Sequence, residues 1–482
     1  MAVIAAFILN AGLNFVLGLL VAKLLGPADF GLFALATAGA IVANTLLFEW
    51  LRLSATRFYS VRVRAEEPWI RQGLDRAYVI LALALFAAAG LCACLGLTIE
   101  GSAEGRLAIA AGAAVAALGI GVFDYHAALA RARFDGGLYL GLVAAKNLLA
   151  LVLMGGAAWY FPQPVWVLAA AGVSQLLAVA LLYRPLADIP IPVVRVRLRE
   201  TWRLFMLYGL PLIAANAVYQ LMPFLNRGTI AAGSGLAEAG YFALAADVTT
   251  RSIGTLGTAL DLLLFQLAVR VEEEHGRVAA EAQVAQNVGI VVAVLLPCAA
   301  GFWVILPALQ ALVVPEAYRG PFAAYAGLMI PGFFCLAMMN FALNPVFQIR
   351  RRTMPVIAAA VLGLAVNGVG LWLLPPYFGP EGIALAQTAG LSAATAMLAL
   401  RALTGAQRLR LPWWDLLAAG IATLAMTLCL VPLRHLDPGR ALALCLPLGM
   451  VVYAGLVCVF DIAGLRGLVL GRFGRRAPVA AE

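Results

Sequence analysis

The chain is 482 residues long; 64% of it is apolar and only 12% is charged. Soluble domains hold about 45–50% apolar and about 25% charged residues. The composition therefore excludes a cytosolic enzyme, a disordered protein and a nucleic-acid binder that carries its basic residues on a folded surface.

A spanning helix needs about 20 mostly apolar residues. Fourteen such runs follow one another: 3–22, 31–51, 77–97, 107–130, 138–160, 165–183, 204–226, 240–266, 287–314, 321–349, 356–374, 381–403, 413–433 and 440–461. The breaks between them hold Pro, Gly and charge, as in Gly26-Pro27-Ala28-Asp29 and Phe161-Pro162-Gln163-Pro164. The first run lacks a basic leader, so it is expected to be a retained helix. The intervening loops reach about 25 residues, too short for a soluble catalytic domain. The seven cysteines all fall in apolar runs, so they are expected to be small core side chains, not a disulfide framework.

Basic residues alternate across the runs. Even-numbered loops and the C-terminal tail hold 25 of the 33 Lys and Arg residues, and odd-numbered loops, with Arg440 at the edge of the last run, hold 6. By the positive-inside rule both termini face the cytoplasm, which accounts for the formal charge of +9 without a nucleic acid. Arg350-Arg351-Arg352 and the Arg195/Arg197/Arg199 run are expected to act as topology signals against anionic headgroups.

The chain echoes itself. Asp29-Phe30-Gly31-Leu32-Phe33-Ala34-Leu35-Ala36 opens the second run, and Glu238-Ala239-Gly240-Tyr241-Phe242-Ala243-Leu244-Ala245 opens the eighth, 209 residues on. Tyr160-Phe161 and Tyr377-Phe378 stand 217 apart, Asn147 and Asn367 stand 220 apart, and Arg131-x-Arg133 matches Arg350–Arg352. The expected architecture is all-α and polytopic, with two six-helix repeats and a C-terminal pair. Residues 1–203 form an N-lobe, 204–403 a C-lobe, and 404–482 the extra helices with a basic cytoplasmic tail. Six is even, so the repeats are related by an axis along the membrane normal.

Polar groups inside the runs are expensive and are expected to face the interior, a wet cavity or a partner. Arg251 lies in the middle of the eighth run, with Asp247 at i−4 and Thr249, Thr250, Ser252 and Thr255 around it. It reads either as a cationic site for an anionic substrate group or as half of an intrahelical ion pair. Lys146 and Asp124 flank the hairpin 131–137 at similar depth; they can pair structurally, or serve substrate or proton binding. Glu49, with Arg52 at i+3 and Arg57 beyond, is an interfacial anchor or a gate contact, since an arginine fork suits pyrophosphate oxygens. Asn10 and Asn14 share one helical face, and so do Asn216 and Gln220. These amides can bind sugar hydroxyls or glue helices together. Asn340 and Asn344 form a third such pair.

Asn10, Asn14, Leu25-Gly26-Pro27-Ala28-Asp29-Phe30-Gly31-Leu32-Phe33-Ala34-Leu35-Ala36 and Leu53-Ser54-Ala55-Thr56-Arg57-Phe58 together resemble the polysaccharide and oligosaccharide flippases of the multidrug/oligosaccharidyl-lipid/polysaccharide (MOP) exporter superfamily. Readable motif covers about 50 residues; the architecture covers some 400. The resemblance implies a bacterial inner-membrane protein, without cofactor or enzymatic activity. It would move a lipid-linked glycan (a polyprenyl pyrophosphate oligosaccharide) to the outer leaflet among membrane lipids, and would work beside a polysaccharide polymerase and glycosyltransferases. On this reading Arg251, Lys146, Arg57, Asn10, Asn14, Asn216 and Gln220 contact substrate, and Asp247, Asp124 and Glu49 serve as ion or charge-pair groups. The rival expectations are a multidrug or cation antiporter of the same superfamily and a membrane glycan ligase or polymerase.

Overall fold

A computed structural model describes residues 2–59, 66–67, 69–96, 102–187, 195–404, 408–464 and 466. Asn10 lies in a helix whose first side chains are outside that description, as does most of the basic tail.

Twelve helices among the described residues are long and apolar enough to cross a bilayer. Two of them are too long to be one span. The helix Leu236–Val313 has 78 residues, about 117 Å at 1.5 Å per residue, against a hydrocarbon core of about 30 Å. Its backbone breaks at Gly276, with φ 81 and ψ 177. The helix Ala2–Asn44 breaks in the same way at Gly26, with φ 76 and ψ 171, just before Pro27. Both conformations lie where a Cβ is strained, so glycine permits each turn. Splitting the two yields the fourteen expected spans.

We label them α1 (2–25), α2 (27–58), α3 (Trp69–Cys94), α4 (Ala103–Ala132), α5 (Gly136–Tyr160), α6 (Pro164–Leu181) and α7 (Arg195–Ser234). The second series is α8 (236–275), α9 (277–313), α10 (Pro321–Ile349), α11 (Met354–Leu373), α12 (Glu381–Leu403), α13 (Trp413–Leu430) and α14 (Pro438–Phe460). The architecture is all-helical and polytopic, as the sequence led one to expect. The chain falls into two compact units: residues 1–244 with 378–383, and 245–377 with 384–482.

In the first unit the core is aromatic and aliphatic. Phe48, Leu51, Leu74, Leu129, Leu142, Leu168 and Phe205 are fully buried. Phe48 stacks on Tyr78 at 5.3 Å, and Tyr78 on Tyr125 at 4.6 Å. Lipid tails are as apolar as leucine, so such contacts hold helices together by close packing more than by expelling water. The echo at Gly31 and Gly240 has a packing cause. A Cβ on Gly31 would strike the Leu236 carbonyl, and one on Gly240 would strike the Pro27 carbonyl. The two backbones touch there with no room for a side chain.

The helix ends at the echo of 131–133 and 350–352 are alike in structure, but two residues out of the expected register: 133–135 matches 350–352. Arg133 N–H donates to Leu129 and Arg350 N–H to Val346; Asp135 N–H donates to Ala130 and Arg352 N–H to Phe347. Phe134 and Arg351, again 217 apart, both take positive φ, 57 and 53. One helix-ending geometry thus occurs twice.

In the second unit α13 and α14 pack on α9. Ala293 meets Ala418, Ala419, Ala422 and Val457, and the Tyr453 hydroxyl donates to the Ala293 carbonyl at 2.6 Å.

Four expectations shift. The third span begins at Trp69, eight residues early, because Arg71 is accommodated inside: only 6% exposed, it donates to Asp75 at 2.9 Å and lies over the rings of Tyr59 and Tyr125. Arg227 lies within α7 instead of in a loop; it is 7% exposed, and its Nη1 donates to the Ala34 carbonyl at 2.9 Å. Arg350 is no headgroup contact; it is buried against Glu281, whereas Arg351 and Arg352 are exposed. Of the cysteines, Cys92, Cys94 and Cys429 are exposed on their spans, and Cys445 is buried.

Candidate substrate site

Each unit carries its own polar set. In the first unit α2 passes through a π turn at Thr45–Glu49. Glu49 at its end is half-buried. It accepts from Arg52 Nη2 at 2.6 Å and from Asn216 Nδ2 on α7 at 2.7 Å. The structure thus joins two of the sequence candidates, Glu49 and Asn216, directly, with Arg52 on the other oxygen of the same carboxylate. Gln220 is half-buried one turn further along α7, and Arg57 is exposed in the last turn of α2.

Asn14 on α1 donates to Asn147 on α5 at 3.2 Å. Its neighbour Lys146 places Nζ over the Phe123 ring, 5.0 Å from the centroid. Asp124, next along α4, is half-buried within electrostatic reach of Arg52, Lys146, Arg131 and Glu49. So α2, α4, α5 and α7 gather Glu49, Arg52, Asp124, Lys146 and Asn216 into one charged neighbourhood. Arg52 is the member that the sequence candidates omitted; its i+3 spacing to Glu49 was the available signal.

The second unit holds the other set. Arg251 on α8 is exposed, and its guanidinium makes no hydrogen bond or ion pair among the described residues. Asp247, one turn earlier, is half-buried. Apart from Thr249, whose Oγ1 is buried without a partner among the described residues, the neighbouring hydroxyls turn back on their own helix: Thr250 to the Ala246 carbonyl, Ser252 to Val248, Thr255 to Arg251 and Thr258 to Gly254. They satisfy themselves and leave the cation available.

Beside Arg251, Ser252 lines a cavity of about 560 Å³ between α8, α9, α13 and α14. Its wall is otherwise apolar, with Pro297, Phe302, Ile305, Met426, Leu446 and Met450 among the lining residues. Nothing in the sequence announced this cavity, because its wall has the same composition as a packed seam.

Further along α8, Gly257 receives the ring of Phe341 from α10; a Cβ there would overlap the ring. Next to that contact α10 makes a second π turn, Met339–Leu343, followed by Pro345. Proline has no N–H to return to the preceding turn, which is the local cause of the bulge.

No family model matches the chain, and no curated protein matches it in sequence. Among solved structures it is similar to a lipid II flippase, MurJ, in an inward closed conformation. The TM-score is 0.75 at 12% identity, covering 97% of this chain and 98% of that one. It is also similar to an inward-facing multidrug resistance MATE family transporter of the MOP superfamily, with TM-score 0.51 at 16% identity over 87% and 94% of the two chains. A Vibrio cholerae MATE transporter aligns with TM-score 0.51 at 13% identity over 82% and 94%. With fourteen spans and these likenesses, the chain is a multi-pass membrane protein with the fold of the MOP-superfamily transporters.

Proposed function

We propose that the protein is a flippase that carries a lipid-linked oligosaccharide or polysaccharide precursor across the bacterial inner membrane by alternating access. The observation that carries this reading is the adjacency on α8: Arg251 exposed without a partner among the described residues, and Ser252 lining a 560 Å³ mostly apolar cavity. A polyprenyl pyrophosphate glycan combines an anionic group, a hydrocarbon tail and a polar head. A cation next to an apolar hollow suits the first two of these together. The MurJ likeness supports the same reading, since that protein is a lipid II flippase and its TM-score exceeds those of the two MATE transporters.

On this reading Arg251 holds the pyrophosphate by paired hydrogen bonds, and the cavity walls α13 and α14 take a length of the tail. Lys146, Arg57, Asn10, Asn14, Asn216 and Gln220 serve substrate from residues 1–244, while Asp247, Asp124 and Glu49 set the charge around the cations. The two six-helix repeats, 1–203 and 204–403, would rock to expose the site to each leaflet in turn. Both termini would lie in the cytoplasm, with a polymerase and glycosyltransferases as working partners. No cofactor and no bond-breaking step are required.

The test is translocation in proteoliposomes of undecaprenyl pyrophosphate carrying a disaccharide, read by access of an added lectin to the far leaflet. Wild-type protein should transfer the glycan, and Arg251→Ala, present at the same folded level, should slow it at least tenfold. Equal transfer in liposomes with and without wild-type protein, together with robust efflux of a cationic dye, would move the reading to a drug antiporter.

A further inference from the structure

The translocation reading assigns the anion and the tail but leaves the sugars without a site in the second unit. The exposed face of α10 supplies one. Elsewhere, spans show large apolar residues at their exposed positions: Trp166, Val173, Leu177 and Leu181 on α6, and Trp413, Leu417, Ile421, Leu424 and Leu428 on α13. Their three- and four-residue spacing is that of a stripe facing lipid. Between 321 and 349, α10 exposes no large apolar side chain. Its exposed positions are Pro331, Asn340 and Gln348, with Asn344 half-buried between the two amides.

Exposed amides in a span without an apolar stripe do not belong against hydrocarbon; they belong on a wall facing water. Asn344 Nδ2 donates to Asn340 Oδ1 at 3.4 Å, and Asn344 Oδ1 is turned inward, buried without a partner among the described residues. The π turn at Met339–Leu343 sets this stripe beside the Phe341–Gly257 contact, which ties α10 to α8 six residues past Arg251. Six helical residues are about 9 Å, roughly the reach from a pyrophosphate to the first sugars attached to it.

We infer that Asn340, Asn344 and Gln348 form a hydrogen-bonding track for the hydroxyls of the glycan whose pyrophosphate Arg251 holds. The inference rests on the translocation reading. The exposed amides of Asn340 and Gln348 present donors and acceptors to match sugar hydroxyls, and Asn344, between them, orients the Asn340 amide. The stripe carries no charge, so it selects an uncharged stretch of sugar. It ends at Ile349, one residue before Arg350, whose guanidinium is committed to Glu281 through contacts of 3.3 and 3.0 Å.

The experiment compares two probes on purified full-length protein in nanodiscs by native mass spectrometry. They are undecaprenyl pyrophosphate alone and the same lipid bearing a neutral disaccharide. Wild type should prefer the glycosylated lipid on the order of tenfold, since each net hydrogen bond is worth roughly two- to tenfold. The N340A/N344A/Q348A variant should lose that preference and keep its affinity for the bare lipid. Arg251→Ala should weaken both probes equally. N340A and Q348A alone, at exposed positions, should each lose part of the preference, and they carry the test if the triple variant does not fold.

A triple variant that keeps the full preference overturns the track and leaves the translocation reading standing, as does a wild type that binds both lipids alike. A wild type that binds neither lipid removes both readings. A triple variant that loses a dimer, with sugar preference intact, overturns the track by showing the amides to be glue between two copies.

Discussion

The ion pair between Glu281 and Arg350 yields an asymmetric prediction. Arg350 has a side chain 5% exposed at the end of α10, and Glu281 is 20% exposed in the second turn of α9. Two contacts join them: Nε to Oε1 at 3.3 Å and Nη2 to Oε2 at 3.0 Å. Glu281 has a second partner, Arg277, at 3.4 Å, and Arg350 is the more deeply buried of the pair. Removing one partner of a buried pair costs about 3–5 kcal/mol, chiefly by stranding the other charge. Glu281→Ala takes the carboxylate away from a buried guanidinium and should cost about that much. Arg350→Ala leaves a carboxylate that is partly exposed and still faces Arg277, so it should cost only about 1–2 kcal/mol. The double variant removes both charges and should be less destabilised than Glu281→Ala alone. Denaturant unfolding of the detergent-solubilised protein, followed by tryptophan fluorescence, measures all three. Equal costs for the two single variants, or a double variant worse than their sum, would refute the reasoning that desolvation of Arg350 dominates.

Two further perturbations probe the packing. Gly257→Leu should drive a side chain into the Phe341 ring and destabilise by about 3 kcal/mol or more. Adding Phe341→Ala should recover folded protein in a detergent melting assay, and no recovery would mean that the α8–α10 contact is not the cause. Tyr453→Phe should cost about 1 kcal/mol through the lost bond to the Ala293 carbonyl, leaving the 560 Å³ cavity otherwise intact. A melting temperature unchanged within error would show that water replaces the hydroxyl there.

The spans were legible because glycine, proline and charge interrupt the apolar runs where the backbone turns. Gly26 and Gly276 do so inside helices that hydrogen-bond continuity alone would merge. The repeat was legible wherever a glycine or a helix end imposes one geometry. Gly31 and Gly240 are alike because each admits the other helix, and 131–135 resembles 348–352 because both end a helix with the same hydrogen bonds. What hydropathy could not show was whether a charge had a partner. Arg71, Arg227 and Arg350 count as loop cations in a tally of basic residues, yet each is buried against a carboxylate or a carbonyl from the fold. Arg251 has the same chemistry but no such partner among the described residues, and only coordinates separate the two situations. The cavity was hidden for a related reason: an apolar wall reads alike whether another helix or empty space faces it.

That contrast fixes how Arg251 should respond to conservative change. A bare positive charge near a pyrophosphate would be replaced well by lysine. A planar fork that binds two oxygens at once would not, because lysine offers a point charge on a flexible stem. If the cavity that the adjacent Ser252 lines takes the lipid tail, as proposed, the anion would be held where the lipid enters and its orientation would be constrained. Under that constraint Arg251→Lys should lose affinity for undecaprenyl pyrophosphate on the order of tenfold, the loss of about one charge-assisted hydrogen bond. Arg251→Gln should lose more, and its residual binding should be less sensitive to salt, because one of the charges that ionic strength screens is gone. Titrations in nanodiscs at low and high salt separate the cases. A lysine variant that binds as tightly as wild type would mean that Arg251 acts through its field alone, and the bidentate geometry would have to be abandoned.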